Sequence, residues 1–477
     1  MPESVSHEGL VTAIRASYVV LPEDDSHRVL RDQTVVIRGD RIEQVCDDYT
    51  GHADVKINAD GRLLSPGFIN AHVHTGAATY VRGLCEDRDL LPGSAFYHYV
   101  VPLIAVGAAN FSLEEFAAVI EWDMLEMVKK GSTTILEENF DHYEVLVEIV
   151  KRLGNRAYLS PTYPSGHGNI GYIKNGKLQY DRPKEGVVAA GLQRNIDLHG
   201  EFNGSANDRI RVRLSPTGPD TCPPDVLRET RKAADRLGCG ISIHGAHHKT
   251  EFEICRTKFD ATPIGHLAKT GILGPDAVVT HVTFTDDNDR QLLADSNSTV
   301  VHCSYRKARE AVIGPFWEYL QRGINVALGT DSYSSDITET IRMAAVLGKI
   351  RLERVGAPTA ADAFDAATIG GARGLGRSDL GQIKPGSKAD LVLIDLTKPH
   401  NFPVIDPIKN FVYYSSGGDI ETVIVDGKII VDHGRATNTN EDELRERVRG
   451  AIQRIWRLAD EQGAVDGLRP ALRSEQA

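Results

Sequence analysis

Between residues 65 and 376, apolar runs of strand length alternate with amphipathic stretches of helical length. This alternation constrains the fold more than any other feature of the chain, because repeated βα units build parallel sheets covered by helices. Eight runs read as strands: GFINAH (67 to 72), TTILEE (133 to 138), AYLSP (157 to 161), IRVRLS (210 to 215), GISIH (240 to 244), AVVTH (277 to 281), TVVHC (299 to 303) and NVALGT (325 to 330). Eight is the number that closes a TIM-type (β/α)8 barrel, and 477 residues leave room for a smaller companion domain. The helices are punctuated. Ser112 and Glu115 form a capping-box pattern ahead of FAAVIEWDMLEMVKK, and Pro223 and Pro224 open DVLRETRKAADRLG.

On either side the pattern changes to short β-like runs broken by turns, as in Thr34 to Arg38 and, near the other end, GSKADLVLIDL and ETVIVDGKIIVDHG. Residues 1–64 and 377–440 are therefore expected to make one composite β-sandwich around a catalytic barrel of residues 65–376. In residues 441–477, Val448, Ile452 and Ile455 share one helical face, which predicts a terminal helix and tail.

No apolar run approaches the roughly 20 residues of a membrane span, and a net charge of -12 with no basic run argues against nucleic acid. The N-terminus lacks the basic and apolar regions of a signal peptide, so a cytoplasmic location is expected. The six cysteines are scattered singly with no CxxC pair, which reads as reduced packing residues.

His72 and His74 in PGFINAHVHTG lie two apart at the end of the first strand, so the period of two points both imidazoles to one side. Barrel active sites lie at the C-terminal ends of the strands, and His244, His281 and Asp331 occupy that place on three others. A single histidine there is more often a hydrogen-bonded structural residue. Five metal-competent residues on one rim, where packing prefers Val, Ile and Leu, point instead to a metal centre.

With PGFINAHVHTG, the HVT that follows VVT, ALGTDS, and GQIKPGSKADLVLIDL followed by VIVDGK, the chain resembles the amidohydrolase superfamily over nearly its whole length. It is most similar to the branch of cytosine, guanine and S-adenosylhomocysteine deaminases and triazine hydrolases, with phenylurea and thiocarbamate hydrolases as a neighbourhood. The resemblance implies a (β/α)8 barrel with a β-sandwich. It also implies one divalent ion, zinc first with iron, cobalt or manganese also suited, on His72, His74, His244 and Asp331, with His281 contacting the reactive water or substrate. The bridging lysine of binuclear relatives has no counterpart in AYLSP or IRVRLS.

Two departures matter. Deaminases of that branch place a Glu three residues after the fifth-strand His, whereas this chain reads His244-Gly-Ala-His247. After the seventh strand, His302-Cys-Ser-Tyr-Arg-Lys307 stands in place of Asn-Pro-x-Ser-Asn. Both favour hydrolysis of an amide, urea or carbamate-like C–N bond over deamination of a nucleobase-like or triazine-like ring; a non-catalytic scaffolding relative is a third reading. In the expected mechanism Asp331 accepts the proton of the attacking water through its second oxygen, His281 stabilises the oxyanion and His247 protonates the leaving nitrogen. Phe96, Tyr97 and Tyr99 lie in a long rim loop that suits either a substrate cover or a dimer contact, and His302 and Tyr305 are further candidates to touch substrate. Glu137, Glu138 and Asn139 close the second strand within reach of the pocket, but charged strand ends are usually solvated, and they are left outside the catalytic set. The expected partners are a small-molecule substrate and a second copy of the chain, as a homodimer or higher homo-oligomer.

Overall fold

The computed structural model describes residues 9–84, 100–139, 142–163, 172–174, 177–179 and 186–464. Each of the eight expected runs contains a strand. Phe68–Val73, Ser132–Glu137, Arg156–Leu159 and Ile210–Val212 pair in chain order as one parallel sheet. Ile241–Gly245, Ala277–His281, Thr299–His302 and Val326–Leu328 form a second. Single parallel bridges connect the two sheets, Leu214 to Ile241 at one junction and Val73 to Asp331 at the other.

These strands are buried on both faces, which is why they read as near-continuous apolar runs rather than as alternating ones. Leu136, Tyr158, Val278, Val301 and Ala327, drawn from strands of both sheets, share one buried cluster. Their neighbours Val279, Val300, Val326 and Leu328 belong to the cluster that packs against the helices. The helix Leu113–Lys129 opens with the expected capping box on Ser112 and Glu115, and Pro224–Leu237 begins at the expected proline pair.

The two chain ends meet in one eight-stranded sheet, where strand Val55–Pro66 runs parallel to Val11–Glu23 and antiparallel to Leu391–Asp395. Ile14, Val35, Ile37, Ile42, Leu64, Leu391, Leu393 and Ile424 pack into one core on this sheet. Its outermost strand, Arg41–Cys46, curls back until Ile42 N donates to Ser387 O at 2.9 Å. Arg156, wholly buried at the start of the third parallel strand, ties this sheet to the rest of the fold. Its Nε lies 2.7 Å from Asp390 Oδ2, and its Nη2 also pairs with Asp426.

The terminal helix Glu441–Glu461 buries Leu444, Val448 and Ile455, with Ile452 partly buried, against the helical layer. Arg454 Nε meets Glu115 Oε1 at 2.9 Å, and Trp456 Nε1 donates to Tyr80 O at 2.9 Å. Among the described residues no helix is long and apolar enough to cross a membrane.

Candidate metal centre

The strand Phe68–Val73 carries His72, with His74 just beyond its end, and the five expected residues converge. His72 Nε2 and His74 Nε2 each lie 3.9 Å from Asp331 Oδ1, and His281 Nε2 is 3.7 Å from Asp331 Oδ2. His244 Nε2 and His74 Nε2 face each other at 3.4 Å. Backbone geometry contributes. Strict alternation would send His281 toward the helices with Val279, but its φ of 74° turns the chain at the strand end and brings the ring to the centre. Asp331 likewise has a φ of 62°, with its N–H donating to His72 O at 3.0 Å.

The tautomers follow from what each Nδ1 meets. A carbonyl oxygen can only accept, so His74 Nδ1 donates to Glu138 O at 2.6 Å and His244 Nδ1 donates to Thr217 O at 2.9 Å. Burial holds both imidazoles below their usual pKa, His244 down to about 4, and keeps them neutral. Their Nε2 atoms therefore direct two lone pairs at one another across 3.4 Å. That arrangement is unfavourable without a cation between them. His72, also lowered to about 4 by burial, has both ring nitrogens buried without a hydrogen-bond partner. Donor atoms of His72, His74 and Asp331 lie within 4.8 Å of one another, as do those of His72, His244 and His281, and this chemistry of imidazoles and a carboxylate fits a divalent ion such as zinc.

Around this core lie charges that the sequence reading left unassigned. Arg306 Nε sits 2.7 Å from Asp331 Oδ2, with the two side chains 1% and 3% exposed. Burial alone would raise the Asp331 carboxyl, but Arg306 and the two histidines outweigh it and hold it well below the usual range. Lys307 Nζ is 3.2 Å from both His247 Nδ1 and His247 O. Burial, reinforced by Arg306, lowers the Lys307 ammonium to about 8. His247 packs on His281 with ring centroids 4.2 Å apart. The next carboxylate along the chain after His247, Glu251, is occupied in accepting from the backbone N–H groups of Ala246, His247 and His248. Beside His74 opens a cavity of about 50 Å³ whose walls include Tyr80, Ile104, Phe116 and Ile120.

Three expectations need correction. His302 does not face the centre: it alternates with the inward Val301 and Cys303, packs on Phe316 at 5.4 Å, and is surrounded by the helical layer. It is Cys303 that shares a possible ligand cluster with His281 and Asp331. The Arg309 guanidinium lies over Tyr305, 5.5 Å from the ring centroid, and the neighbouring Arg306 and Lys307 reach Asp331 and His247. Glu138 is not a solvated strand end. It is fully buried, with Oε1 3.4 Å from His72 Nδ1 and Oε2 3.6 Å from His244 Nδ1. Glu137 is structural, accepting from Thr75 N and Asn139 N. Phe96, Tyr97 and Tyr99 lie outside the described residues.

The adenosine deaminase of Xanthomonas campestris, solved with bound zinc, superposes with a TM-score of 0.82 at 24% identity over 94% of this chain and 99% of its own. The zinc complex of the atrazine chlorohydrolase TrzN from Arthrobacter aurescens TC1 gives a TM-score of 0.82 at 20% identity, over 92% and 100% of the two chains. By sequence, the chain is 33% identical over 431 residues to a 5-methylthioadenosine/S-adenosylhomocysteine deaminase of Thermococcus sibiricus, covering 88% of this chain and 93% of that one. It is 30% identical over 449 residues to a 5'-deoxyadenosine deaminase of Methanosarcina acetivorans, covering 93% and 98%. Residues 63–430 match the model of the amidohydrolase family. The chain belongs to that family and is a metal-dependent hydrolase of carbon–nitrogen bonds other than peptide bonds.

Proposed function

We propose that this enzyme hydrolyses an amide, urea or carbamate-like C–N bond of a small, largely apolar molecule. In this reading the two parallel sheets are one (β/α)8 barrel of residues 65–376, closed at the two single bridges. Residues 1–64 and 377–440 form the companion sandwich, and residues 441–477 the terminal helix and tail. His72, His74, His244 and Asp331 hold one divalent ion, zinc by preference. When bound, such an ion supplies a water that loses its proton near neutral pH and a Lewis acid for the substrate oxygen.

The chain's own residues do the rest. Arg306 makes Asp331 a weak base, so a proton taken at Oδ2 is passed on rather than kept. His281 Nε2 is 3.7 Å from that oxygen and its ring lies against His247, which delivers the proton to the leaving nitrogen. Lys307, donating to His247 O, holds that residue in place. His281 also donates toward the developing oxyanion once protonated. The cavity beside His74 takes an apolar substituent.

The observation that carries this reading is the His247–Lys307 pair at 3.2 Å where a deaminase of this branch would hold a Glu. A cation-backed imidazole can protonate one leaving nitrogen, but it does not offer the carboxylate that both donates to and orients an aromatic amidine. A second reading, release of ammonia from a nucleoside-like ring, is favoured by the relatives at 30–33% identity. Product analysis of the zinc-loaded enzyme on amides, ureas, carbamates and aminopurine nucleosides separates the two. An organic amine with an acid or carbon dioxide is expected; ammonia from the nucleosides alone replaces the first reading with the second.

A further inference from the structure

Glu138 has no role in the chemistry above, yet it is fully buried beside the converging histidines. Both of its carboxylate oxygens are buried without a hydrogen-bond partner. A carboxylate placed this way with no compensating function would be a net cost to the fold. Its surroundings are specific. Oε1 points at His72 Nδ1 and Oε2 at His244 Nδ1, the edges of those rings turned away from the converging Nε2 atoms. Its backbone carbonyl takes the Nδ1 proton of His74.

Three of the four groups assigned to the ion thus lean on one residue. Thr217 O already accepts from His244 Nδ1, so that nitrogen carries a proton and cannot itself ligate. For His72 no acceptor other than Glu138 faces Nδ1 among the described residues.

Resting on the metal-centre reading above, we infer that Glu138 is a positioning residue: it receives the Nδ1 proton of His72, fixes that ring as the tautomer with a free Nε2, and places a negative charge behind the His72–His244 pair. The separation of 3.4 Å closes to a hydrogen bond with a small rotation of the His72 ring. The carboxylate makes the imidazoles more basic ligands and offsets part of the charge of a bound dication. It does not touch substrate, because it lies on the far side of the imidazoles from the Nε2 atoms.

The test compares the full-length wild type with Glu138→Gln and Glu138→Ala. Each is loaded with zinc and dialysed against graded chelator, with bound metal quantified by mass spectrometry. The metal-free forms are melted, and cobalt-substituted forms are followed by visible absorption. Roughly 10- to 100-fold weaker zinc retention is expected for Glu138→Ala, with Glu138→Gln between it and wild type because one amide oxygen can still accept from His72. The metal-free Glu138→Gln protein should melt at or above the wild-type midpoint, since an uncompensated buried charge is gone, and its cobalt bands should shift. A merely structural role predicts the opposite pair: a lower metal-free midpoint with unchanged zinc retention and cobalt spectrum, and that result overturns the inference. If Glu138→Ala fails to fold, the near-isosteric Gln variant decides alone. Wild-type protein that retains no zinc takes down the metal-centre reading as well, whereas zinc-binding wild type with unaffected variants removes only the role of Glu138.

Discussion

His302 and Cys303 are adjacent, and one step along the chain decides what each can do. Cys303 reaches the pocket, while His302 is sealed among Phe316, Gly314 and the helical layer. Burial pushes the His302 imidazole down to about 4. Between that value and the usual 6.5, the unfolded chain binds a proton that the folded one refuses, so stability falls as pH drops through this window. His302 alone should contribute up to about 1.4 kcal/mol of loss per pH unit. Urea denaturation at pH 7 and pH 5 should therefore show a smaller acid penalty for His302→Gln than for wild type; equal penalties would mean that His302 is protonated in the fold. Glu138, Arg306 and Lys307 escaped a reading by residue type for a related reason. Charged residues at strand ends and on short helices are normally solvated, and nothing in the local pattern reveals that these three are buried.

Where the strand Val326–Leu328 approaches Phe68–Val73, Gly329 lies so close that a Cβ there would stand 2.7 Å from His72 Cβ and 3.0 Å from its backbone N and O. Gly329→Ala must push the strand Val326–Leu328 away from Phe68–Val73, at a cost of about 1–3 kcal/mol. The same shift moves Asp331 off His72. Zinc retention and kcat/KM should drop at least ten-fold with the circular dichroism spectrum preserved, and normal kinetics would show that the junction can yield without disturbing the ligands. At this scale the chain was highly legible. Each of the eight strands overlaps one of the runs marked by β-branched and apolar residues, because βα repeats impose a period on the chain. The HxH pair marked the place where His72, His74, His244, His281 and Asp331 converge. What the pattern could not carry is orientation at strand ends, where the φ of 74° at His281 breaks the alternation.

Across the whole molecule, Arg156 links elements more than 230 positions apart in sequence, with Asp390 and Asp426 as its buried partners. Removing Asp390 leaves the buried Arg156 guanidinium with Asp426 alone, so Asp390→Ala should cost up to about 3–5 kcal/mol, while the combined Arg156→Met and Asp390→Leu replacement, in which Asp426 keeps Lys388 at 3.2 Å, should recover most of it. Equilibrium denaturation measures both; a loss under about 0.5 kcal/mol for Asp390→Ala would show that the network is dispensable. The shared eight-stranded sheet has a different consequence, felt during synthesis. Strand Val55–Pro66 emerges from the ribosome early, but its second edge is covered only by Leu391–Asp395. While the intervening segment is being translated, that edge stands open, a template for pairing with any other nascent chain. The two parallel sheets are thus made before the eight-stranded sheet that Arg156 ties to them can be completed, and yield in a heterologous host should depend on how well chaperones shield those first strands during elongation.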